Sequence, residues 1–199
     1  MTSAQPVLTA EELSKACELP VLDQDGKSVQ FGTLFADQRT ILVFIRHFWC
    51  GSCQDYVAQL ATVPLDAFSK AGVKLVVIGC GEPSMIRGYK ELTAFPHDMY
   101  ADPTRKLYDL VGAEVNLDMP AERPSYIRNG YLLNVLRSIW RGPIANPTTV
   151  GKQGPAAQNG GDFVVGPGNT CSFAWRMRNT QDHVEVKDLM KHAGVEYGV

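Results

Sequence analysis

The feature that most constrains this chain is a junction. The apolar run Ile41-Leu-Val-Phe-Ile45 leads through Arg46-His47-Phe48-Trp49 directly into Cys50-Gly51-Ser52-Cys53. Five apolar residues in a row, without alternation, read as a strand buried on both faces. Such a strand needs helices on both sides of its sheet. Helical spacing follows at once, from about Cys53, with Val57, Leu60 and Ala61 on one face until Pro64 interrupts it. Val73 to Ile78 is a second buried strand, closed by Gly79-Cys80-Gly81. A helix over Glu82 to Ala94 comes next, with Pro83 in its first turn. A short strand at Asp98 to Ala101 and a helix at Pro103 to Val111, capped by Asp102, complete the series. This alternation implies an α/β fold with a parallel portion joined by right-handed crossovers.

Other signals frame that unit. Thr9-Ala-Glu-Glu12 is a capping box that opens a helix through about Cys17. Leu19 to Leu22 and Ser28 to Phe31 flank the turn pair Asp25-Gly26. Tyr131 to Trp140 has helical character, and Gly142 to Gly161, rich in Gly, Pro and Ala, reads as a long loop or lid. Phe163 to Val165 and Cys171 to Arg176 flank Gly166-Pro-Gly-Asn169, a hairpin signal. Val184 to Ala193 is a last helix, stopped by Gly194. The 199 residues suit one domain spanning 1–199.

Charge and composition exclude some functions. The net charge of −2, from 19 basic and 21 acidic residues, leaves no footprint for nucleic acid or an anionic membrane. No apolar run approaches the ~20 residues a membrane span needs. Met1 to Glu18 lacks the pattern of a secretory signal. A soluble cytoplasmic protein is the expectation. In such a compartment the five cysteines (Cys17, Cys50, Cys53, Cys80 and Cys171) do not read as a structural disulfide framework.

Cys50 and Cys53 are the chemical centre. A thiol at the start of a helix meets unpaired backbone N–H groups and the positive end of the helix dipole, which favour its thiolate. Cys50 has that place and is the candidate nucleophile. Cys53, one turn on, can attack a mixed disulfide or sulfenate on Cys50. A zinc site is the weaker alternative, because there is no second Cys-x-x-Cys and no close His pair. Two incidental buried cysteines are the third reading. Arg46 could stabilise the Cys50 thiolate or pair with a substrate carboxylate, or it could face solvent. His47 could donate or shuttle a proton, or simply bond a carbonyl. Phe48 and Trp49 either wall a substrate pocket or pack beneath it. Cys80 could be a third redox sulfur but reads more simply as a buried apolar residue. Arg128 and Arg137 could bind an anionic substrate or lie in solvent, Trp140 and Arg141 would anchor the following loop, and Asp182 could hold its neighbour His183.

The stretch Ile41 to Cys53 with Asp55-Tyr-Val57 resembles the peroxiredoxin-like 2 group of the AhpC/TSA superfamily, nearest its 2C subgroup. The likeness continues through Leu75-Val-Val-Ile-Gly79, Tyr100-Ala-Asp-Pro103, Ser138-Ile-Trp-Arg141 and Gly160-Gly161…Gly166-Pro-Gly-Asn169, and ends near Gly194-Val195. It implies a thioredoxin fold, a central mixed sheet flanked by helices, and peroxide-linked thiol chemistry without metal or organic cofactor. The expected substrate is a hydroperoxide, endoperoxide or disulfide, with thioredoxin or glutathione as reductant and a homodimer as a possible assembly. Two departures stand out. Peroxiredoxins carry Pro-x-x-x-Thr-x-x-Cys, and here Val43 and His47 take the Pro and Thr positions. Where thioredoxins place a proline beside the cysteine pair, this chain has Gly160-Gly161, which would admit a close-lying substrate or serve as loop glycines. The rival to an enzyme is a redox-responsive binding protein with the Cys50–Cys53 disulfide as its switch. A specialised pathway enzyme acting on one small molecule is a third possibility.

Overall fold

The computed structural model describes residues 5–122, 124–127 and 149–198. Seven strands, β1 (Pro20–Leu22), β2 (Ser28–Gln30), β3 (Arg39–Phe44), β4 (Val73–Gly79), β5 (Asp98–Ala101), β6 (Gly161–Gly166) and β7 (Thr170–Arg176), form one mixed sheet in the order β2-β1-β5-β4-β3-β6-β7. β3, β4 and β5 run parallel. β6 pairs antiparallel with β3, and β7 with β6. The β1–β2 hairpin closes the opposite edge by antiparallel pairing of β1 to β5.

Strand β3 explains the layering. Ile41, Val43 and Ile45 point into one core, while Leu42 and Phe44 point into the other. The first core is covered by α2 (Gly51–Leu60), α3 (Leu65–Ala71), α4 (Ile86–Thr93) and α6 (Val186–Ala193), through Val57, Leu60, Phe68, Ile86, Tyr89, Leu189 and Met190. The second is covered by α1 (Ala10–Cys17) and α5 (Lys106–Leu110), with Leu13, Ala16, Leu107 and Tyr108. An unbroken apolar run is what a strand needs when both faces are dry. The Thr9–Glu12 capping box forms in full at the head of α1, and Gly194 ends α6 in the left-handed region.

Three helix starts differ from the sequence expectation. The helix after the cysteines begins at Gly51, with Cys50 itself as N-cap. The segment after β4 opens with a 3-10 turn at Pro83–Met85, where Met85 N donates to Glu82 O at 3.0 Å, before α4 begins at Ile86. α5 begins only at Lys106, since Arg105 has a φ of 60°. Asp102 still organises that start: its carboxylate accepts from Leu107 N at 2.9 Å and Thr104 Oγ1 at 2.6 Å. Gly161, expected at the end of a loop, is the first residue of β6. The helix expected at Tyr131 to Trp140, residues Arg128, Arg137 and Arg141, and positions 142–148 of the expected lid lie outside the described residues. Among the described residues, no helix is long and apolar enough to cross a membrane.

Candidate active site

The site is built where β3 leaves the sheet. Ile45 N still donates to Ile78 O at 2.9 Å, continuing the ladder for one residue. The Tyr108 hydroxyl lies 2.7 Å from Ile45 O and 2.9 Å from Ile78 O, tying the two strand ends together from below. The chain then turns, with Cys50 N donating to His47 O at 3.0 Å and Phe48 N to Gln153 O at 3.0 Å. The Phe48 ring is buried against the bare backbone of Gly79, where a Cβ would come within 2.4 Å of it. It also meets Tyr89 edge-on at 5.5 Å. A strand end, a buried aromatic anchor and a helix start thus fix the position of Cys50.

Cys50 caps α2 with its sulfur, which accepts from Cys53 N at 3.3 Å. The Ser52 hydroxyl lies 3.1 Å from the same sulfur, and Arg46 Nη1 lies 3.7 Å away. Both cysteines are free thiols and both are buried. Burial alone would resist ionisation of Cys50. Donation from Cys53, the Arg46 charge, His47 and Ser52 outweigh it and hold Cys50 well below the usual thiol range. Cys53 moves the other way, because burial and then the hydrogen bond and charge of Cys50 push its thiol well up. Burial also drives His47 toward its neutral form, against the pull of Cys50. Of the two positive charges acting on the sulfur, that of Arg46 is the larger influence.

Arg46 is itself buried and held on both remaining arms. Its Nε donates to Asn159 Oδ1 at 3.1 Å and its Nη2 to the Ala156 carbonyl. Asn159 is fixed in turn, since its Nδ2 donates to Asn116 Oδ1 at 2.9 Å and its N–H to Glu114 O at 2.9 Å. Ser52 Oγ lies 3.2 Å from Thr180 O, so segments far apart in sequence converge on one sulfur. The arrangement can present a thiolate nucleophile with a second, protonated thiol one turn behind it. Among the described residues, no group of three or more His, Cys, Asp or Glu could hold a metal ion.

A family model for the AhpC/TSA antioxidant enzymes matches residues 59–179. Human peroxiredoxin-like 2C is 36% identical over 199 aligned residues, 98% of this chain and 84% of that protein. The chain belongs to the AhpC/TSA antioxidant enzyme family. Prostamide/prostaglandin F synthase of Salmo salar is a more distant relative, 24% identical over 87% of this chain and 84% of that protein. The fold is shared with the Xanthomonas campestris bacterioferritin comigratory protein, solved in complexes that bear on its alkyl peroxide reduction. That structure gives a TM-score of 0.60 at 16% identity, covering 96% of this chain and 99% of that one. These matches place the protein among thiol-based redox proteins of thioredoxin fold.

In this AhpC/TSA chain the expected site residues separate into two groups. Arg46, His47, Cys50 and Cys53 come together, and Trp49 is half-buried on the turn between them. Phe48 is 1% exposed and anchors the turn from beneath, the packing reading rather than the pocket wall. Gly160 and Gly161 are buried against the chain itself. A Cβ on Gly160 would fall 1.8 Å from Phe44 O, and one on Gly161 would fall 2.5 Å from Trp175 O. The close approach they permit is between segments of the chain itself, which gives both glycines a packing role. Cys80 donates to Arg46 O at 2.8 Å, and burial pushes its thiol up to about 12, which suits a packed cysteine. His183 is held by Asp162 rather than by Asp182, whose carboxylate instead accepts from Arg178.

Sequence reasoning missed Ser52, Asn159, Ala156 and Thr180. Only Ser52 had a visible signal, a hydroxyl between the two cysteines. The other three act from loops through a carbonyl or an amide, which no spacing rule marks.

Proposed function

We propose that this protein is a thiol peroxidase in which Cys50 is the attacking thiolate and Cys53 the resolving thiol. The supporting observation is the Cys50 sulfur held among Arg46, Ser52 and the Cys53 N–H, with a second free thiol one helical turn away. The Cys50 thiolate attacks one oxygen of an O–O bond. That bond breaks. A hydroperoxide attacked at its terminal oxygen leaves a sulfenic acid on Cys50 and an alkoxide that departs as alcohol after taking a proton; an endoperoxide leaves a sulfenate ester on Cys50 and a second oxygen that takes the proton as a hydroxyl. Cys53 then attacks the Cys50 sulfur and forms the disulfide, expelling water from the sulfenic acid or the diol from the ester. A dithiol donor, thioredoxin or a pair of glutathiones, restores both thiols.

An organic substrate fits better than hydrogen peroxide. Val115, Leu117 and Met119 are exposed on alternate positions of one segment, while Asn116 between them bonds Asn159, the partner of Arg46. An apolar strip of this kind, two hydrogen bonds from the Arg46 guanidinium, offers a resting place for the body of a hydroperoxide or endoperoxide. The test is NADPH-coupled turnover with a thioredoxin or glutathione recycling system and a panel of hydrogen peroxide, organic hydroperoxides, an endoperoxide and a disulfide. Turnover should favour the organic oxidants and vanish in Cys50→Ser. Absence of turnover on every oxidant, or full activity in Cys50→Ser, would refute the proposal. Absence of turnover would leave the redox-responsive binding protein, which the replacement of the peroxide-orienting Thr by His47 favours.

A further inference from the structure

The apolar strip beside the site ends on a sulfur that the redox pair leaves unused. Met119 is 48% exposed, and it is the methionine most open to solvent among the described residues. Met85 is half-buried, while Met99, Met177 and Met190 are buried. The Met119 thioether is also held. Thr180 Oγ1 donates to its Sδ at 3.1 Å, and Thr180 N donates to Asp118 O at 2.8 Å. Thr180 is itself buried, and its carbonyl receives the Ser52 hydroxyl at 3.2 Å. That hydroxyl lies 3.1 Å from Cys50 Sγ. Two residues and three hydrogen bonds thus join the Met119 sulfur to the Cys50 sulfur.

The donor decides which side of this sulfur can react. A thioether is a weak acceptor with two lone pairs, one on each side of its C–S–C plane. A hydroxyl that donates to one lone pair leaves the other open. Thr180 takes one lone pair of Met119, and the residue's exposed surface leaves the other to solvent and to whatever rests on the strip. Peroxides oxidise a thioether to methionine sulfoxide, which is polar and chiral at sulfur. Oxygen added from one side only gives one of the two epimers, whereas an unguarded methionine gives both.

We propose that Met119 is a second oxidisable sulfur of this site, converted by an organic hydroperoxide to a single sulfoxide epimer, and that the sulfoxide closes the strip to further organic substrate. The closure rests on the strip being the resting place of the oxidant; the single epimer rests on the Thr180 contact alone. The free lone pair of Met119 Sδ attacks the terminal oxygen of the hydroperoxide. The O–O bond breaks, and the alkoxide leaves with its electron pair. It takes the proton of the transferred hydroxyl and departs as alcohol, leaving S=O on Met119. The sulfur is oxidised by two electrons and the peroxide reduced by two. The new oxygen is a strong acceptor on a side chain that had been apolar, so Val115 and Leu117 lose the third member of their strip. Excess organic peroxide thereby lowers the protein's preference for it, and a methionine sulfoxide reductase restores it.

The test treats the reduced full chain with rising excess of cumene hydroperoxide and follows each methionine by peptide mass spectrometry. Met119 should be oxidised about tenfold ahead of the half-buried Met85. The two methionine sulfoxide reductases act on opposite epimers, so one of them should clear the Met119 sulfoxide from the digest and the other should leave it. Thr180→Val removes the donor but keeps the carbonyl that Ser52 uses, and it should yield both epimers. Thr180→Ser keeps a hydroxyl and should yield one. In the coupled assay, chain oxidised at Met119 should show a KM for cumene hydroperoxide raised about tenfold, with that for hydrogen peroxide within about twofold of the unoxidised value. Equal epimers in the wild type, or Met119 oxidised no faster than Met85, overturns the proposal. An unchanged KM after oxidation overturns the closure. A chain without turnover on any oxidant that still forms one Met119 epimer refutes the peroxidase reading, and the closure with it, and leaves the oxidation site standing.

Discussion

Removing the Arg46 charge should raise the ionisation midpoint of Cys50. Arg46 Nη1 lies 3.7 Å from the sulfur. At that distance and an effective dielectric of about 20, two unit charges attract by about 4 kcal/mol. The guanidinium charge is spread over three nitrogens, two of which are engaged by Asn159 and Ala156. About half of the attraction, roughly 2 kcal/mol, is the share that reaches the sulfur. At about 1.4 kcal/mol per pH unit, Arg46→Met should move the midpoint up by about 1.5 pH units. The sign follows from the thiolate being the reactive form. Below the midpoint a higher value means less thiolate, so iodoacetamide labelling of Cys50 should slow about 30-fold. Well above both midpoints the two proteins should label alike. The assay is peptide-resolved labelling across pH, with Arg46→Lys as the control that keeps the charge but not the fork. Arg46→Met also strands Asn159 Oδ1 and Ala156 O, so thermal melts must accompany the labelling, with a loss of about 1–3 kcal/mol expected. A Cys50 midpoint in a folded Arg46→Met protein within half a pH unit of wild type would refute the reasoning.

The order of the sulfurs is a second test. Cys50 should label before Cys53 near neutral pH, and Cys53→Ser should trap a sulfenic acid or mixed disulfide on Cys50 that intact-mass spectrometry detects. Preferential labelling of Cys53 would reverse the assigned roles. Ser52→Ala removes the hydroxyl shared between Cys50 Sγ and Thr180 O, and should raise the Cys50 midpoint by about 1 pH unit, the worth of one hydrogen bond to a charged group. No change in the labelling profile would show that Ser52 serves only Thr180. Gly160→Ala should destabilise the fold by more than about 3 kcal/mol, because its Cβ would sit 1.8 Å from Phe44 O where β3 meets β6. A urea midpoint near wild type would mean that the junction yields more easily than its geometry suggests.

The parts of the fold legible in the sequence were those written in local patterns. Ile41 to Ile45 announces a strand buried on both faces because the alternation is missing, and β3 does separate two cores. The β6–β7 hairpin and the Thr9 capping box are equally local, and both form where they were expected. Boundaries were less legible. Nothing in the sequence marks Arg105 for a left-handed φ, and that one residue shortens α5.

In the site, the cysteines and their order on the helix follow from spacing, because a helix start imposes the same field on any thiol placed there. What holds Arg46 does not follow from spacing. Asn159 lies 113 residues beyond it in the chain, and Ala156 contributes only a carbonyl, which every residue carries. Phe48 and Gly160 show the same limit from the other side. The sequence allowed both to face a substrate, because they flank the cysteines or replace a known proline. Each is instead occupied by the protein itself, the ring by Gly79 and the glycine by Phe44 O. Residues beside a nucleophile must first hold it in place. In a turn this tight, where Cys53 N, Arg46 and Ser52 all reach for the one buried sulfur of Cys50, the supporting role takes up neighbours whose chemistry alone suggested contact with substrate.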